Sequence, residues 1–208
     1  MEVVSRCEAP FRPEDALEDV ITELKIRGNV EQERAIRIVC EHFMEETEEQ
    51  MLCHIMGPGR TGKSHVVRAI VEFFKRCGVS EQLMLSASTG CAAILIDSYT
   101  LHALTFLGPR HSYTWPELLE RMWKDVKYSV IDEVSMISTH FFNQVSECLS
   151  KAKGWDPSSH EKPFGGVNLV ITGDIGQLLP VNVASLFSHT LVDQLSPNIL
   201  KIRQAKGC

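Results

Sequence analysis

Residues 57–64 read Gly57-Pro58-Gly59-Arg60-Thr61-Gly62-Lys63-Ser64, a complete G-x-x-x-x-G-K-[ST] phosphate-binding loop, and each part of that pattern has its own physical task. The glycines admit backbone conformations that a Cβ would crowd, so successive N–H groups can curl around phosphate oxygens. Lys63 sets a positive charge on the β- and γ-phosphates, and the Ser64 hydroxyl can ligate Mg²⁺. Such a loop must leave a strand and open a helix. The apolar run Met51-Leu52-Cys53-His54-Ile55-Met56 precedes it and reads as a buried strand; Val66, Val67, Ile70, Val71, Phe73 and Phe74 follow at helical spacing.

Strands and helices alternate from there on. Apolar strand runs fall at 82–87, 126–131 and 167–172, the last two ending at Asp132-Glu133 and Gly173-Asp174. Helical patterns lie near 63–77, 115–124 and 138–151. The alternation predicts an α/β fold, a mostly parallel sheet flanked by helices. Ligands of such sheets bind at the carboxyl ends of the strands, where the loop, Asp132 and Asp174 all fall. Upstream, residues 29–43 form a helix with Ala35, Ile36, Val39 and Phe43 on one face. Residues 1–28 read as a loosely attached N-terminal extension ending in a helix through Leu17, Val20, Ile21 and Leu24. The acidic run 45–49 is a solvated connection and 154–166 a surface loop.

Composition narrows the class further. The chain has 208 residues, enough for one well-cored domain, and no apolar run reaches membrane-spanning length. The first residues lack an apolar signal core, and Glu8, Glu14, Asp15 and Glu18 disfavour a transit peptide. Seven dispersed cysteines without a C-x-x-C pair fit a reducing compartment better than a disulfide framework or a zinc site. The net charge of −6 does not advertise nucleic-acid binding, although it allows a local basic groove.

Val130-Ile131-Asp132-Glu133 has the form of a Walker B strand. Asp132 would hold Mg²⁺ through water, and Glu133 would orient and activate the attacking water; phosphoryl transfer needs such positioning and charge neutralisation. Gly173-Asp174-Ile175-Gly176-Gln177-Leu178-Leu179-Pro180 also follows a strand. It reads either as a plain turn or as a sensor segment, since Gln177 can hydrogen-bond a terminal phosphate without adding charge.

Five ordered segments carry a resemblance: 57–64, Ser86-Ala87-Ser88-Thr89-Gly90-Cys91-Ala92-Ala93, Thr100-Leu101-His102, Ile131-Asp132-Glu133-Val134-Ser135-Met136, and Gly173-Asp174-x-x-Gln177-Leu178. Together with Phe164-Gly165-Gly166 and Asn29-x-x-Gln32, they resemble superfamily-one DNA helicases of the PIF-one (petite integration frequency) type, including helitron-encoded relatives. The resemblance covers about residues 11–187 and implies a RecA-like P-loop NTPase domain over 29–208, with the helix at 29–43 carrying the adenine-reading Q motif. It implies ATP and Mg²⁺ as cofactors, and as partner single-stranded DNA or a duplex with a single-stranded tail, without a membrane. It further implies 5′-to-3′ unwinding in DNA repair, recombination or telomere maintenance, in the nucleus or in mitochondria.

By position, Gln32 would contact adenine; Gly57, Pro58, Gly59, Arg60, Thr61, Gly62, Lys63, Ser64 and Asp174 would surround the nucleotide. Ser64 and Asp132 would hold the metal, while Lys63, Glu133 and Gln177 would act in catalysis. Ser88, Thr89, Gly90 and His102 would contact single-stranded DNA. Other readings of these residues stand beside this one. Asn29 and Gln32 have the spacing of a capping box, His102 can be a packed core histidine, and core packing suits most of Tyr99, Phe106, Tyr113 and Trp115.

The chain departs from the family pattern at three points. Leu179 stands where the family has the first proline of Q-L-P-P-V, which relaxes the backbone after Gln177. Arg60 stands where glycine is frequent. No second RecA-like domain, the source of arginines for the γ-phosphate, is matched. This chain is therefore expected to bind ATP·Mg²⁺, to hydrolyse it poorly and not to unwind DNA alone. A non-motor ATP-binding remnant of a helicase or transposon is the alternative.

Overall fold

A computed structural model describes residues 11–107, 116–154, 162–174, 176 and 186. Its centre is a five-stranded sheet, parallel throughout, in the order β1-β5-β4-β2-β3. The strands are β1 Leu52–Met56, β2 Leu83–Ala87, β3 Tyr99–Thr100, β4 Tyr128–Asp132 and β5 Asn168–Gly173. Four of them match the apolar runs of the sequence to within two residues. β3 has only two residues, too few for any periodic signal.

Residues of β4 and β5 alternate between two cores, as the two-residue period of a strand requires. Tyr128, Val130 and Val170 face one side, with helices α1 (Pro13–Glu23), α2 (Val30–Met44) and α3 (Lys63–Arg76). Ile131, Leu169 and Ile171 face the other, with α5 (Leu101–Thr105), α6 (Pro116–Trp123) and α7 (Thr139–Ala152). Between α3 and α5, the short α4 (Gly90–Leu95) gives Ala92 and Ala93 to the first core. The sheet is thus covered on both faces, which explains why its strands read as apolar runs.

Helix boundaries follow local chemistry. Ser138 accepts the Phe141 N–H and so caps α7, and Thr89 and Thr100 cap α4 and α5 in the same way. At α1, Pro13 occupies the first turn, where its missing N–H is no loss, and Glu14 and Asp15 complement the positive end of the helix dipole.

This helix does not hang loosely from the domain, contrary to the expectation for residues 1–28. Val20 and Ile21 are fully buried and Leu17 nearly so, in the same core as α2 and α3. The apolar stripe of α1 needs a partner surface, and α3 supplies it. Tyr99 departs in the other direction. It lies on the edge strand β3 and is exposed, whereas Phe106 packs against the second core; Tyr113 and Trp115 fall outside the described residues.

The register puts the functional segments side by side. Met56 pairs with Gly173 and Ala87 with Asp132. The chain therefore leaves β1 into the phosphate loop, β5 into Asp174, β4 into Glu133 and β2 into Ser88, all at one edge of the sheet. No helix of the described residues is long and apolar enough to cross a membrane.

Candidate nucleotide-binding site

The loop that joins β1 to α3 is held by its own polar groups. Lys63 Nζ donates to the carbonyls of Gly57 (2.7 Å) and Pro58 (3.1 Å), and the Thr61 hydroxyl donates to Pro58 O at 2.8 Å. Gly62 precedes the helix with φ +89°, in the left-handed region that favours glycine. A Cβ on Gly57 would lie 2.7 Å from Thr61 Oγ1, so the curl also needs glycine there. Arg60 has φ +67° without being glycine. The N-terminus of α3, with Lys63 and the exposed Ser64 in its first turn, adds the partial positive charge and free N–H groups that bind anions.

Asn29 and Gln32 answer the question their spacing raises. Asn29 Oδ1 accepts the Gln32 N–H at 3.3 Å, so the cap is real. The return half of a capping box is closed off, because the Asn29 N–H donates to Ile26 O at 2.9 Å. The Gln32 side chain turns instead to the phosphate loop, where Nε2 donates to Thr61 O at 2.9 Å. It packs so closely on Gly62 that a Cβ there would lie 2.2 Å from Nε2. Gln32 and the loop line one open cleft of about 700 Å³, together with Arg34, Ala35 and Ile38 of α2 and His54 of β1. Burial draws the His54 pKa down to about 4, so the ring is neutral at physiological pH. These wall residues carry no motif, although Ala35 lies one helical turn from Gln32.

On the other side of the loop, Asp132 is buried at the end of β4. Its Oδ1 accepts the Glu133 N–H at 2.9 Å and the hydroxyl of Thr172 on β5. Thr172 is a fixing residue that motif reading passes over; its signal is a polar residue inside an otherwise apolar strand. Glu133 holds φ 55°, ψ 45°, a left-handed conformation that a side chain adopts at a cost. Its Oε2 is buried without a hydrogen-bond partner among the described residues. Burial, then the charge of Asp132, raises its pKa; Lys63 opposes the shift and Asp174 adds to it. The charges of Asp132, Lys63 and Asp174 thus all reach Glu133. Asp174 Oδ2 accepts the Gly59 N–H at 2.7 Å and Oδ1 accepts the Gly176 N–H at 2.9 Å. Gln177 and Leu179 fall outside the described residues.

A nucleotide triphosphate with Mg²⁺ fits these residues. At Gly57 and Gly62 a Cβ would run into Thr61 and Gln32, so the curled loop depends on glycine there, and Glu133 Oε2 is an orphaned acceptor among the described residues.

Ser88, Thr89 and Gly90 connect β2 to α4, with the Ser88 N–H donating to Asp132 O at 3.1 Å. Ser88 Oγ is buried without a partner among the described residues, Thr89 Oγ is spent on capping α4, and Gly90 is exposed. His102 is exposed on α5, not packed in the core. Its ring stacks on Phe141, centroids 3.9 Å apart and planes at 10°, and partial burial lowers its pKa.

This chain is similar to known helicases. A family model described as PIF1-like helicase matches residues 28–195. The ATP-dependent DNA helicase PIF7 of Trypanosoma brucei brucei is 32% identical over 163 residues, which cover 73% of this chain and 15% of that protein. The crystal structure of Pif1 helicase from Candida albicans superposes with a TM-score of 0.57 at 28% identity, covering 74% of this chain and 35% of that one. A crystal structure of Bacteroides Pif1 bound to ssDNA gives 0.56 at 23% identity over 73% and 33%, a likeness of fold alone. The chain spans 15% to 20% of the length of the first curated relatives it matches.

Proposed function

Because the chain belongs to the PIF1-like helicase family, we propose that it is the nucleotide-binding motor domain, over residues 29–208, of an ATP-dependent DNA helicase. The whole protein moves 5′ to 3′ on single-stranded DNA and opens duplexes with a single-stranded tail, in nuclear DNA repair, recombination or telomere maintenance. One observation carries the enzymatic part of this reading. Glu133 is a half-buried carboxylate with an unpartnered oxygen and a raised pKa, held in a costly backbone conformation next to Asp132 and within the field of Lys63.

The residues divide the work as follows. The N–H groups of 57–64 and the Lys63 ammonium hold phosphate oxygens; to do so Lys63 exchanges the carbonyls of Gly57 and Pro58 for an anion, a stronger acceptor. Gln32 reads adenine from the cleft wall, while its present bond to Thr61 O ties that reading to the shape of the loop. Ser64 and Asp132 hold Mg²⁺, which supplies charge neutralisation between phosphates when bound. Thr172 and the Glu133 N–H fix the rotation of Asp132. Glu133 orients water and takes its proton. Gln177 senses the terminal phosphate. Thr89, Gly90 and His102, with Ser88 behind them, meet the DNA strand; the Ser88–Asp132 backbone bond links that contact to the metal holder. Membership of the PIF1-like helicase family supports this choice of partner.

The test is ATP turnover by this chain with and without single-stranded DNA, with Lys63→Ala and Glu133→Gln as controls. Slow turnover, raised by DNA and above that of both controls, is the expected result. Turnover no greater than that of the controls, with ATP still bound, would sink the enzymatic reading for this chain.

A further inference from the structure

An anion already sits against the phosphate loop, and it belongs to the chain itself. Asp174 reaches back from the end of β5, 115 residues along the chain, and accepts the Gly59 N–H at 2.7 Å. Its second oxygen accepts the Gly176 N–H at 2.9 Å, so both oxygens are engaged. Lys63 meanwhile is turned onto the carbonyls of Gly57 and Pro58. Asp174 also follows β5, the strand paired with β4, at whose end Asp132 and Glu133 stand.

We propose that Asp174 clamps the free loop through Gly59, is released by the terminal phosphate of a nucleotide, and thereby sets the balance between triphosphate and diphosphate binding. This role rests on the nucleotide-binding reading above and makes Asp174 a positioning and specificity-determining residue. One N–H cannot serve a carboxylate and a phosphate oxygen together, and two anions at the same loop repel. A diphosphate leaves the terminal position vacant and Asp174 in place; a triphosphate must displace it. The other end of the clamp is Gly176, which immediately precedes Gln177. Release is therefore felt within one peptide of the proposed sensor.

The experiment uses the full chain, with Asp174→Asn to remove charge at constant shape and Asp174→Ala to remove the acceptor. Binding of ADP and of AMP-PNP is measured by calorimetry with Mg²⁺ and with EDTA, and exchange of the Gly59 amide proton is followed by NMR without nucleotide. The clamp predicts a Gly59 amide that is protected in the wild type and exposed in D174A. It also predicts that D174N tightens AMP-PNP more than ADP, raising the ratio of the two affinities on the order of tenfold, most clearly in EDTA. An unchanged or reduced ratio in D174N overturns the selectivity role, and unchanged Gly59 exchange in D174A overturns the clamp. Failure of the wild type and D174N alike to bind either nucleotide is a separate result that refutes the nucleotide site and this role with it.

Discussion

Arg60 is the residue of the phosphate loop least suited to its own backbone. At φ +67° it sits where a side chain costs roughly 1–2 kcal/mol and glycine costs almost nothing. Replacing it by glycine also frees the unfolded chain, which takes back about 0.4–1 kcal/mol. Arg60→Gly is therefore expected to range from neutral to about 1.6 kcal/mol more stable in urea denaturation. A loss beyond that range would mean that the arginine side chain is itself a tether. Glu133 carries the opposite conflict, one that serves chemistry. Because burial raises its pKa, the folded chain holds the carboxyl proton more tightly than the unfolded chain does. Ionising Glu133 then costs stability as pH rises from its ordinary 4.5 through the raised folded value, and the whole penalty persists above it. Glu133→Gln should melt above the wild type at about pH 7, and the gain should vanish below the ordinary carboxyl range. Its turnover should fall roughly 10²–10⁴-fold, the usual worth of a general base. A variant that is no more stable at neutral pH would contradict the burial argument even if activity were lost.

Among the elements, the turn that leads into β5 is the most demanding. Phe164, Gly165 and Gly166 run in succession at φ 56°, 63° and 79°. The turn is fixed from α7, where Ser146 Oγ accepts the Phe164 N–H and Ser150 Oγ accepts the Gly165 N–H. A Cβ on Gly165 would lie 2.7 Å from Leu149 O and 2.9 Å from Lys153 Cβ, and the carbonyl belongs to a rigid helix. Gly165→Ala adds left-handed strain to that overlap and should destabilise by about 2–4 kcal/mol in denaturant titration. Gly78→Ala is the control, with φ +70° but nothing within 4 Å of the added Cβ, and should cost only the strain. Equal losses at the two sites would show that backbone strain alone matters. The sequence displays Phe164-Gly165-Gly166 as a lead-in to a strand, but not the serines that hold it, which lie 18 and 15 residues away. The same limit recurs at the candidate site. The loop, β1, β4 and α3 are legible because a motif or a period of two or 3.6 residues repeats within a short window. The bonds from Gln32 to Thr61, Thr172 to Asp132 and Gly59 to Asp174 span 29, 40 and 115 residues. No local pattern carries them. The last two follow from strand order, which places the ends of β1, β5 and β4 in one row, and the first from the packing of α2 beside α3.

For the molecule as a whole, the decisive question is what holds α1 to the rest. Two kinds of interaction do so. Glu18 pairs with Arg37 of α2 and Glu23 with Arg76 of α3, and both acids are 45% or more exposed. Such surface pairs are worth about 0–1 kcal/mol each and fade with salt. Beneath them, Val20 and Ile21 are fully buried in the core that also contains Val66, Val67 and Ile70 of α3. Truncating a buried isoleucine to alanine costs about 2–5 kcal/mol, because the cavity relaxes only in part. Apolar packing should therefore outweigh the ion pairs, and α1 should behave as part of the domain that presents the phosphate loop. Ile21→Ala is expected to lower stability by about 2–5 kcal/mol and Glu23→Gln by far less. The first loss should persist at high salt. Because His65, two residues after Lys63, also bonds Leu24 O at 2.8 Å, loosening α1 should disturb the start of α3. I21A should thus weaken nucleotide binding as well as stability, a paired effect readable by calorimetry and thermal melting on the same samples. A variant that folds and binds like the wild type would return α1 to the status of an extension.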